Sequence, residues 1–340
     1  MYKRQDTIKG VPIYSLCFIF TFVLTTAYGS ETITLTTPIT PTTQTGSTVD
    51  GTGTSTTATT TIAHPYLQRP NVSTCDEGVL SQDAKDRALL HLNYIRSLHG
   101  LKPVTYEPAD DILVQRAALI IVANAALNHN PVPANHCFST EGLTGSEKGN
   151  LFISGGTPVG SDVERYINAW LIDKNVDSLG HRRWVIDPFL KSVALGVVDG
   201  DPRVPFGLKP VVGAVLKILN DADQDNADLP AEFVAYPYKE YPTSLFDKEW
   251  FLSFSVFTDR TSRFGGNKTV DFTGATVTVK SGQGPIPVNS VTFNNNGAGI
   301  ANIIQWKAKG LTDGVTYTVE IANVKVNDQL RSYTYDFTLK

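Results

Sequence analysis

The most constraining feature of this chain is a threonine-rich stretch near its N-terminus. Of the 33 residues from Glu31 to Ala63, 16 are threonine, and none is lysine or arginine. Such a stretch buries too little apolar surface to offset the conformational entropy lost on ordering it. We therefore expect residues 30–70 to form a disordered linker, either an O-glycosylated stalk or a plain spacer. A folded core has to be built from the residues that follow.

The segment ahead of the linker has the pattern of a secretory signal. Lys3, Arg4 and Lys9 precede an apolar run from Val11 to Leu24, and Ala27–Gly29 supplies small residues for a cleavage site. The run is shorter than the roughly 20 residues that span a bilayer, which favours a cleaved signal over a membrane anchor. The sequence thus predicts a signal peptide at residues 1–29. The mature protein is expected to be extracellular or attached to a cell surface, with no membrane span.

Length and charge narrow the function classes. A chain of 340 residues exceeds what one hydrophobic core usually organises, so two folded domains are expected. With 29 basic and 33 acidic residues the net charge is −4, which lacks the basic surface that nucleic-acid binding requires.

Two cysteines remain once the signal is removed. In an oxidising compartment Cys75 and Cys137 are expected to form a disulfide, with two free buried thiols as the alternative. The chain also has two N-glycosylation sequons, Asn71–Ser73 and Asn267–Thr269. They are relevant only if the protein is made in a eukaryotic secretory pathway.

Residues 71–242 have the pattern of a domain that mixes helices and strands. Ser81 can cap a helix that ends at Leu98, and a largely apolar helix is predicted over 110–128. A third helix begins with the capping box Ser161–Glu164, and the apolar run 193–198 predicts a buried strand. Together with the C-terminal part described next, this predicts an α+β protein.

Residues 243–340 alternate between apolar and polar positions and are interrupted by turn residues. Strands are predicted at 250–257, 275–279, 291–293, 300–306, 317–321 and 332–339. Leu311 and Tyr317 have the spacing of a tyrosine corner. We expect an antiparallel β-sandwich with immunoglobulin-like or fibronectin-like layering, whose aromatic residues form the core rather than a carbohydrate platform.

A series of short motifs in residues 80–200 resembles the CAP superfamily, the secreted proteins related to cysteine-rich secretory and plant pathogenesis-related proteins, also called SCP domains. The resemblance is strongest from Trp170 to Pro188. The matching residues, in order, are Asn93–Arg96, Gly100–Pro103, His129, Gly149–Leu151, Trp170–Asp173, Gly180–Arg182 and Gly196. The resemblance implies a three-layer α-β-α sandwich with a central cleft.

The resemblance also implies which residues line that cleft. In the family, two histidines and two acidic residues meet there, in some members around a divalent metal. His129 and His181 match the histidines, and Asp173 matches one acid. The second acid falls at Gly149, which has no side chain, so Glu147 is the nearest substitute.

Two interpretations of this cluster stay open. His129, His181 and Asp173 have the composition of a zinc site with an open fourth position. Alternatively, they form a hydrogen-bonded cluster in which Asp173 orients an imidazole. A separate candidate for calcium is the acidic loop with Asp221, Asp223 and Asp225 at alternate positions and Glu232 at the twelfth. Asn226 and Pro230 fit that loop poorly, which favours a solvated connector instead.

The missing acid favours a non-catalytic function. We expect a binding module that takes a lipid, a sterol or a cell-surface ligand such as a glycan in the cleft. One alternative is a metal-dependent, protease-like hydrolase in which Glu147 acts as general base. The other is an adhesive or structural surface protein.

Overall fold

The structure is a computed structural model that describes residues 64–219 and 232–340, all of which fall in one compact unit, Thr59–Lys340. The predicted signal, most of the predicted linker, and Asp221, Asp223 and Asp225 lie outside the described residues. The helices are α1 Gln82–Leu98, α2 Asp111–Asn124, α3 Thr140–Glu147, α4 Glu164–Ile172 and α5 Gly180–Val185. The strands are β1 Tyr66–Gln68, β2 Val79–Leu80, β3 Thr105–Tyr106, β4 Gly149–Gly155, β5 Ser192–Gly200, β6 Val211–Lys217, β7 Phe233–Tyr236, β8 Lys239–Tyr241, β9 Leu252–Val256, β10 Thr276–Ser281, β11 Gly284–Ile286, β12 Val288–Asn294, β13 Ile303–Ala308, β14 Thr316–Val326 and β15 Gln329–Leu339.

Helix α1 forms where the sequence predicts it. The Ser81 hydroxyl accepts a hydrogen bond of 3.2 Å from the backbone N–H of Ala84, which satisfies one of the free amides of the first turn. Leu92 and Ile95 are fully buried, and the helix ends two residues before Gly100, which adopts a positive φ. The predicted cap and apolar stripe are confirmed.

The N-terminal part is built on the sheet β3-β5-β6-β4, which is antiparallel except between β3 and β5. Helix α2 crosses one face of it. A Cβ on Gly196 would lie 2.3 Å from the backbone of Val114, and one on Gly213 would lie 2.7 Å from the carbonyl oxygen of Ala118. Glycine at both positions therefore allows the helix backbone to approach the sheet closely.

Helices α1 and α4 cover the opposite face of this sheet. Leu195 and Val212, whose side chains point away from α2, are buried in the same cluster as Ile95 and Trp170. The indole N–H of Trp170 donates a hydrogen bond of 3.1 Å to the carbonyl of Leu151 in β4. Helices thus cover both faces of the sheet.

The C-terminal part consists of two sheets that pack face to face. The five-stranded sheet has the order β11-β10-β14-β15-β8, and the four-stranded sheet has the order β12-β13-β9-β7. The rings of Phe254 in β9 and Tyr335 in β15 stack across the interface with centroids 6.1 Å apart. The molecule is therefore an α+β protein with a β-rich, sandwich-like C-terminal region.

A tyrosine corner joins β13 to β14. The hydroxyl of Tyr317 accepts a hydrogen bond of 2.7 Å from the backbone N–H of Thr312, and both Leu311 and Tyr317 are buried. The tyrosine corner that the spacing of Leu311 and Tyr317 predicts is thus confirmed.

Ordered structure at both ends of the N-terminal part extends beyond the predicted bounds. Strand β1 lies before residue 71, in the part that was predicted to be linker. Its Tyr66 is buried, and the Tyr66 hydroxyl donates a hydrogen bond of 2.8 Å to Asp199. β7 and β8 precede residue 243, yet they pair with β9 and β15 of the C-terminal sheets.

The predicted disulfide is present. Cys75 and Cys137 are bonded, with Cα atoms 5.2 Å apart, and the bond ties the turn after β1 to the segment after α2. None of the helices in residues 64–219 and 232–340 has the length and apolarity needed to traverse a lipid bilayer.

Candidate functional site

The centre of the candidate site is a hydrogen-bonded pair of His181 and Asp173. The Nδ1–H of His181 donates a hydrogen bond of 2.7 Å to Asp173 Oδ1. The other carboxylate oxygen, Oδ2, accepts from the backbone N–H groups of His181 and Arg182 at 3.0 and 3.2 Å. The Asp173 side chain is 1% exposed and that of His181 24%. Both oxygens of the Asp173 carboxylate therefore have hydrogen-bond partners, and the carboxylate lies on the buried side of the imidazole.

Local sequence explains why these two residues meet. Asp173 ends helix α4 in a left-handed conformation with φ of 55°, and Leu179 adopts φ of 49° just before α5. These turns bring the C-terminus of α4 against the start of α5, where the carboxylate caps the free amides of the first turn. We call residues 173–181 the site loop.

Asp173 changes the protonation of its partner. Burial of the imidazole by itself lowers the pKa of His181, but the negative charge of Asp173 and the hydrogen bond to it outweigh burial. The net effect raises the pKa of His181 above its usual value. His181 therefore keeps its proton at a higher pH than a free histidine does.

His129 approaches the same place from the end of α2. Its Nδ1–H donates a hydrogen bond of 2.8 Å to the carbonyl of Ser146, although the residue lies at the protein surface. Partial burial of the ring lowers the pKa of His129 despite the bond to Ser146, and the nearby charge of His181 lowers it further. His181 is thus near enough for its charge to lower the pKa of His129, and we call these two residues the histidine pair.

Both rings of the histidine pair are held in the same tautomer. A carbonyl oxygen and a carboxylate oxygen only accept hydrogen bonds, so Nδ1 must carry the proton in both His129 and His181. In the neutral rings the lone pair is then on Nε2. In the described part of the chain no hydrogen bond involves Nε2 of either ring. Neither nitrogen is thus engaged by another of the described residues.

Glu147 does not complete the cluster. It is exposed at the C-terminal end of α3, next to the Ser146 carbonyl that holds His129. Within residues 64–219 and 232–340, no three His, Cys, Asp or Glu side chains are grouped closely enough to hold a metal ion. Asp173 stands behind His181 as its hydrogen-bond partner, rather than beside it as a further ligand.

Packing explains why no acidic side chain lies at position 149. A Cβ on Gly149 would be 2.6 Å from Val215 Cγ1 and 2.8 Å from the carbonyl oxygen of Gly145. Contacts this short do not occur in stable proteins without backbone movement. The glycine is thus required by the close approach of α3 to the sheet.

The four other histidines of the described residues lie apart from the pair. His64 and His136 are exposed, and His91 is half-buried against Asn168. His99, unlike these three, lies in the interior of the protein. It is 4% exposed, and its ring nitrogens contact the Ala235 carbonyl and the Tyr241 hydroxyl. Burial lowers the pKa of His99 to about 4.

Of the predicted calcium ligands, only Glu232 lies in the described residues. Its carboxylate pairs with the guanidinium of Arg331 at 3.1 Å, and both side chains are exposed. This surface ion pair gives Glu232 a partner in β15.

The C-terminal sheets hold the site loop, a feature that the sequence did not predict. The indole N–H of Trp250 donates a hydrogen bond of 3.0 Å to the carbonyl of Asp173. Gln305 in β13 donates another of 2.7 Å to the carbonyl of Asp177. Backbone carbonyls carry no sequence signature, so only the folded chain reveals these partners.

Arg182 connects the site to the same sheets. Its guanidinium donates hydrogen bonds to the carbonyls of Leu171 and Phe251 at 2.7 and 2.8 Å and lies 3.9 Å from the ring centroid of Tyr236. Arg182 is 1% exposed. The residue next to His181 thus anchors α5 to β7 and to the start of β9.

No model of a known protein family matches this chain, and no curated protein matches its sequence. What the histidine pair can bind is therefore judged from its own surroundings. Leu127 and Val132 lie on either side of His129 in sequence and are 39% and 52% exposed. The segment that carries His129 thus exposes apolar side chains as well as an imidazole, a composition that suits a ligand with both polar and apolar groups.

Proposed function

We propose that this is a secreted CAP-type protein that binds a lipid or sterol at the histidine pair, without catalysing a reaction on it. The observations that carry the proposal are the two imidazoles, each anchored through Nδ1, and the exposed Leu127 and Val132 that flank His129 in sequence. The strongest part of the family resemblance, 170–188, contains Asp173 and His181. The helices on both faces of the central sheet agree with the three layers that the resemblance implies.

The two imidazoles offer complementary hydrogen-bonding groups. The raised pKa of His181, caused by Asp173, keeps an Nε2–H donor there to higher pH, while burial and the charge of His181 lower the pKa of His129 and leave its Nε2 as an acceptor. His181 can donate to a ligand hydroxyl, and His129 can accept from one. A carboxylate can instead accept from His181 alone. Sterols and fatty acids carry these polar groups on an apolar body.

A second candidate function is suggested by the Nδ1 contacts. Histidines that bind metals usually donate their other N–H to a carboxylate or a carbonyl, as His181 and His129 both do. The pair could thus supply two imidazole ligands to zinc, with water or substrate completing the coordination. A hydrolase would further need a general base, and the nearest acidic residue in sequence, Glu147, is exposed at the end of α3.

Direct binding measurements separate these functions. Purified full-length protein is titrated with a radiolabelled sterol, a fatty acid and a cell-surface glycan, with and without zinc. We expect saturable lipid binding in the absence of zinc, and a loss of roughly ten- to a hundredfold in affinity for His181→Ala and His129→Ala, because each removes a hydrogen bond to a polar group. His136→Ala, an exposed histidine outside the pair, serves as the matched control.

Other outcomes would change the conclusion. Binding that requires zinc and disappears with a chelator would favour the metal function. No binding of any of the three ligands would count against the proposal and favour an adhesive protein.

A further inference from the structure

The two glycosylation sequons of this chain differ in burial and in the hydrogen bonds of their asparagine side chains. Asn71 and Asn267 both begin an Asn-X-Ser/Thr sequence. An N-glycan requires that the side-chain amide nitrogen, Nδ2, be free and that space be present beyond it.

Asn267 meets neither requirement. Its Oδ1 accepts hydrogen bonds from the backbone N–H groups of Thr258 and Asp259 at 2.8 and 2.9 Å. Its Nδ2 donates to the carbonyls of Asp259 and Ser262 at 2.7 and 2.9 Å. The residue is 0% exposed. A sugar on this nitrogen would displace these bonds and occupy the space of the 258–263 loop.

Asn71 meets both. The residue is exposed, and its Oδ1 accepts hydrogen bonds from the backbone N–H and the hydroxyl of Ser73 at 3.1 and 2.7 Å. In the described part of the chain no hydrogen bond involves its Nδ2. The Ser73 hydroxyl thus binds the amide oxygen of Asn71 and does not engage the amide nitrogen.

The turn that carries Asn71 is held by backbone hydrogen bonds and the disulfide, and its outer residues are exposed. Asn71 and Asp76 exchange backbone hydrogen bonds of 2.8 and 2.9 Å, and Cys75 is disulfide-bonded to Cys137. Val72 is buried, whereas Ser73 is exposed like Asn71. A glycan at Asn71 would extend away from the core without disturbing a described contact.

We propose that Asn71 is an N-glycan acceptor and that Asn267 is not. In the transfer, Nδ2 of Asn71 forms a bond to the anomeric carbon of an oligosaccharide carried on a lipid pyrophosphate. The bond between that carbon and the pyrophosphate oxygen breaks, Nδ2 loses one proton, and the lipid pyrophosphate leaves. The amide keeps its oxygen, which still accepts the bonds from Ser73. This inference is independent of the ligand of the histidine pair.

The test is site-specific glycan mapping. The full chain is directed into the secretory pathway of a eukaryotic cell with an added leader, and the secreted protein is treated with peptide N-glycosidase in heavy-oxygen water. The enzyme converts each glycosylated Asn to a labelled Asp, so O-glycans on the threonine-rich stretch do not interfere. We expect the label at Asn71 and none at Asn267.

Matched variants verify the assignment. Ser73→Ala removes the sequon while keeping Asn71 and should abolish the label, whereas Ser73→Thr should keep it. Thr269→Ala removes the second sequon and keeps the buried Asn267, so the mass of the protein should change only by the substitution itself. Unlabelled Asn71 in the secreted, disulfide-bonded protein, or a label at Asn267, would overturn the proposal.

Discussion

The indole N–H of Trp250 and the backbone carbonyl of Asp173 are joined by a hydrogen bond of 3.0 Å. Trp250 lies just before β9, so a residue of the C-terminal part holds the backbone of the residue whose carboxylate orients His181. Asp173 and Leu179 keep left-handed conformations that cost roughly 1–3 kcal/mol each and persist where surrounding contacts enforce them. The C-terminal sheets are thus part of the support of the candidate site.

Removal of the Trp250 N–H tests this support. We expect Trp250→Phe, which keeps an aromatic ring, to lower the unfolding free energy by about 1 kcal/mol, because the Asp173 carbonyl loses its partner. The site loop should loosen, and the pKa of His181 should fall towards its usual value as its contact with the Asp173 charge weakens. NMR titration of the imidazole protons measures this shift. Tyr94→Phe, at an exposed aromatic residue of α1, is the control. An unchanged His181 titration curve would show that Trp250 has a structural role alone.

The His181–Asp173 pair should make stability depend on pH. Because Asp173 raises the pKa of His181 above the unfolded value of about 6.5, the pair stabilises the fold fully below that pH and loses this effect as pH rises through the folded-state pKa. We expect Asp173→Asn to cost about 2 kcal/mol of unfolding free energy near pH 5 and less near pH 9. Urea denaturation at a series of pH values measures the difference.

The control for this series is Asp201→Asn, since the Asp201 side chain is 68% exposed and its ion pair with Lys209 lies on the surface. That substitution should leave the free energy nearly unchanged at every pH. A difference between wild type and Asp173→Asn that grows with rising pH would contradict the assignment of the raised pKa of His181 to Asp173.

Position 149 should reject any side chain. We expect Gly149→Ala to destabilise the protein by about 1 to 3 kcal/mol, because its Cβ would lie 2.6 Å from Val215 Cγ1. Gly149→Glu, which restores the acid that the family resemblance implies, should destabilise it further without creating a metal site. Thermal unfolding and zinc titration measure both effects. Gly160→Ala is the matched control, because nothing lies within 4 Å of a Cβ there. Zinc binding by a stable Gly149→Glu protein would be contrary to this expectation.

The disulfide should contribute strongly to stability. Cys75 and Cys137 are 62 residues apart, and closing a loop of this length lowers the entropy of the unfolded chain by an amount worth about 4 kcal/mol. We expect the double variant Cys75→Ser, Cys137→Ser to lose an unfolding free energy of that order. Chemical denaturation measures it, and reduction of the wild-type protein should give the same loss. An unaffected denaturation midpoint would mean that the turn is held by its other contacts.

Several local features could be predicted because their causes lie close together in the sequence. The Ser81 cap acts on an amide three residues away, and the tyrosine corner joins Thr312 to Tyr317. The Asp173–His181 hydrogen bond also spans only eight residues of sequence. The threonine-rich stretch and the N-terminal signal pattern stay predictions, since they fall outside the described residues.

Other features depend on contacts between distant segments. Burial of His99 requires β7 and β8 to pack against the end of α1, and the sequence around His99 does not reveal that neighbour. The exposure of Asn71 and the burial of Asn267 are likewise not evident from their sequons, because the two motifs look alike and only the folded loops around them differ.

The sequence by itself determined the Ser81 cap, the alternation of the C-terminal strands and the disulfide partners, whereas the two histidines and the aspartate stay candidates for a site. Only the tertiary structure decided that Asp173 stands behind His181, that a side chain at position 149 has no room, and that Trp250 supports the site loop. The physical reason is that these three properties depend on backbone carbonyls and packing distances between segments far apart in the chain. A side-chain pattern along the sequence does not record where a distant backbone will lie.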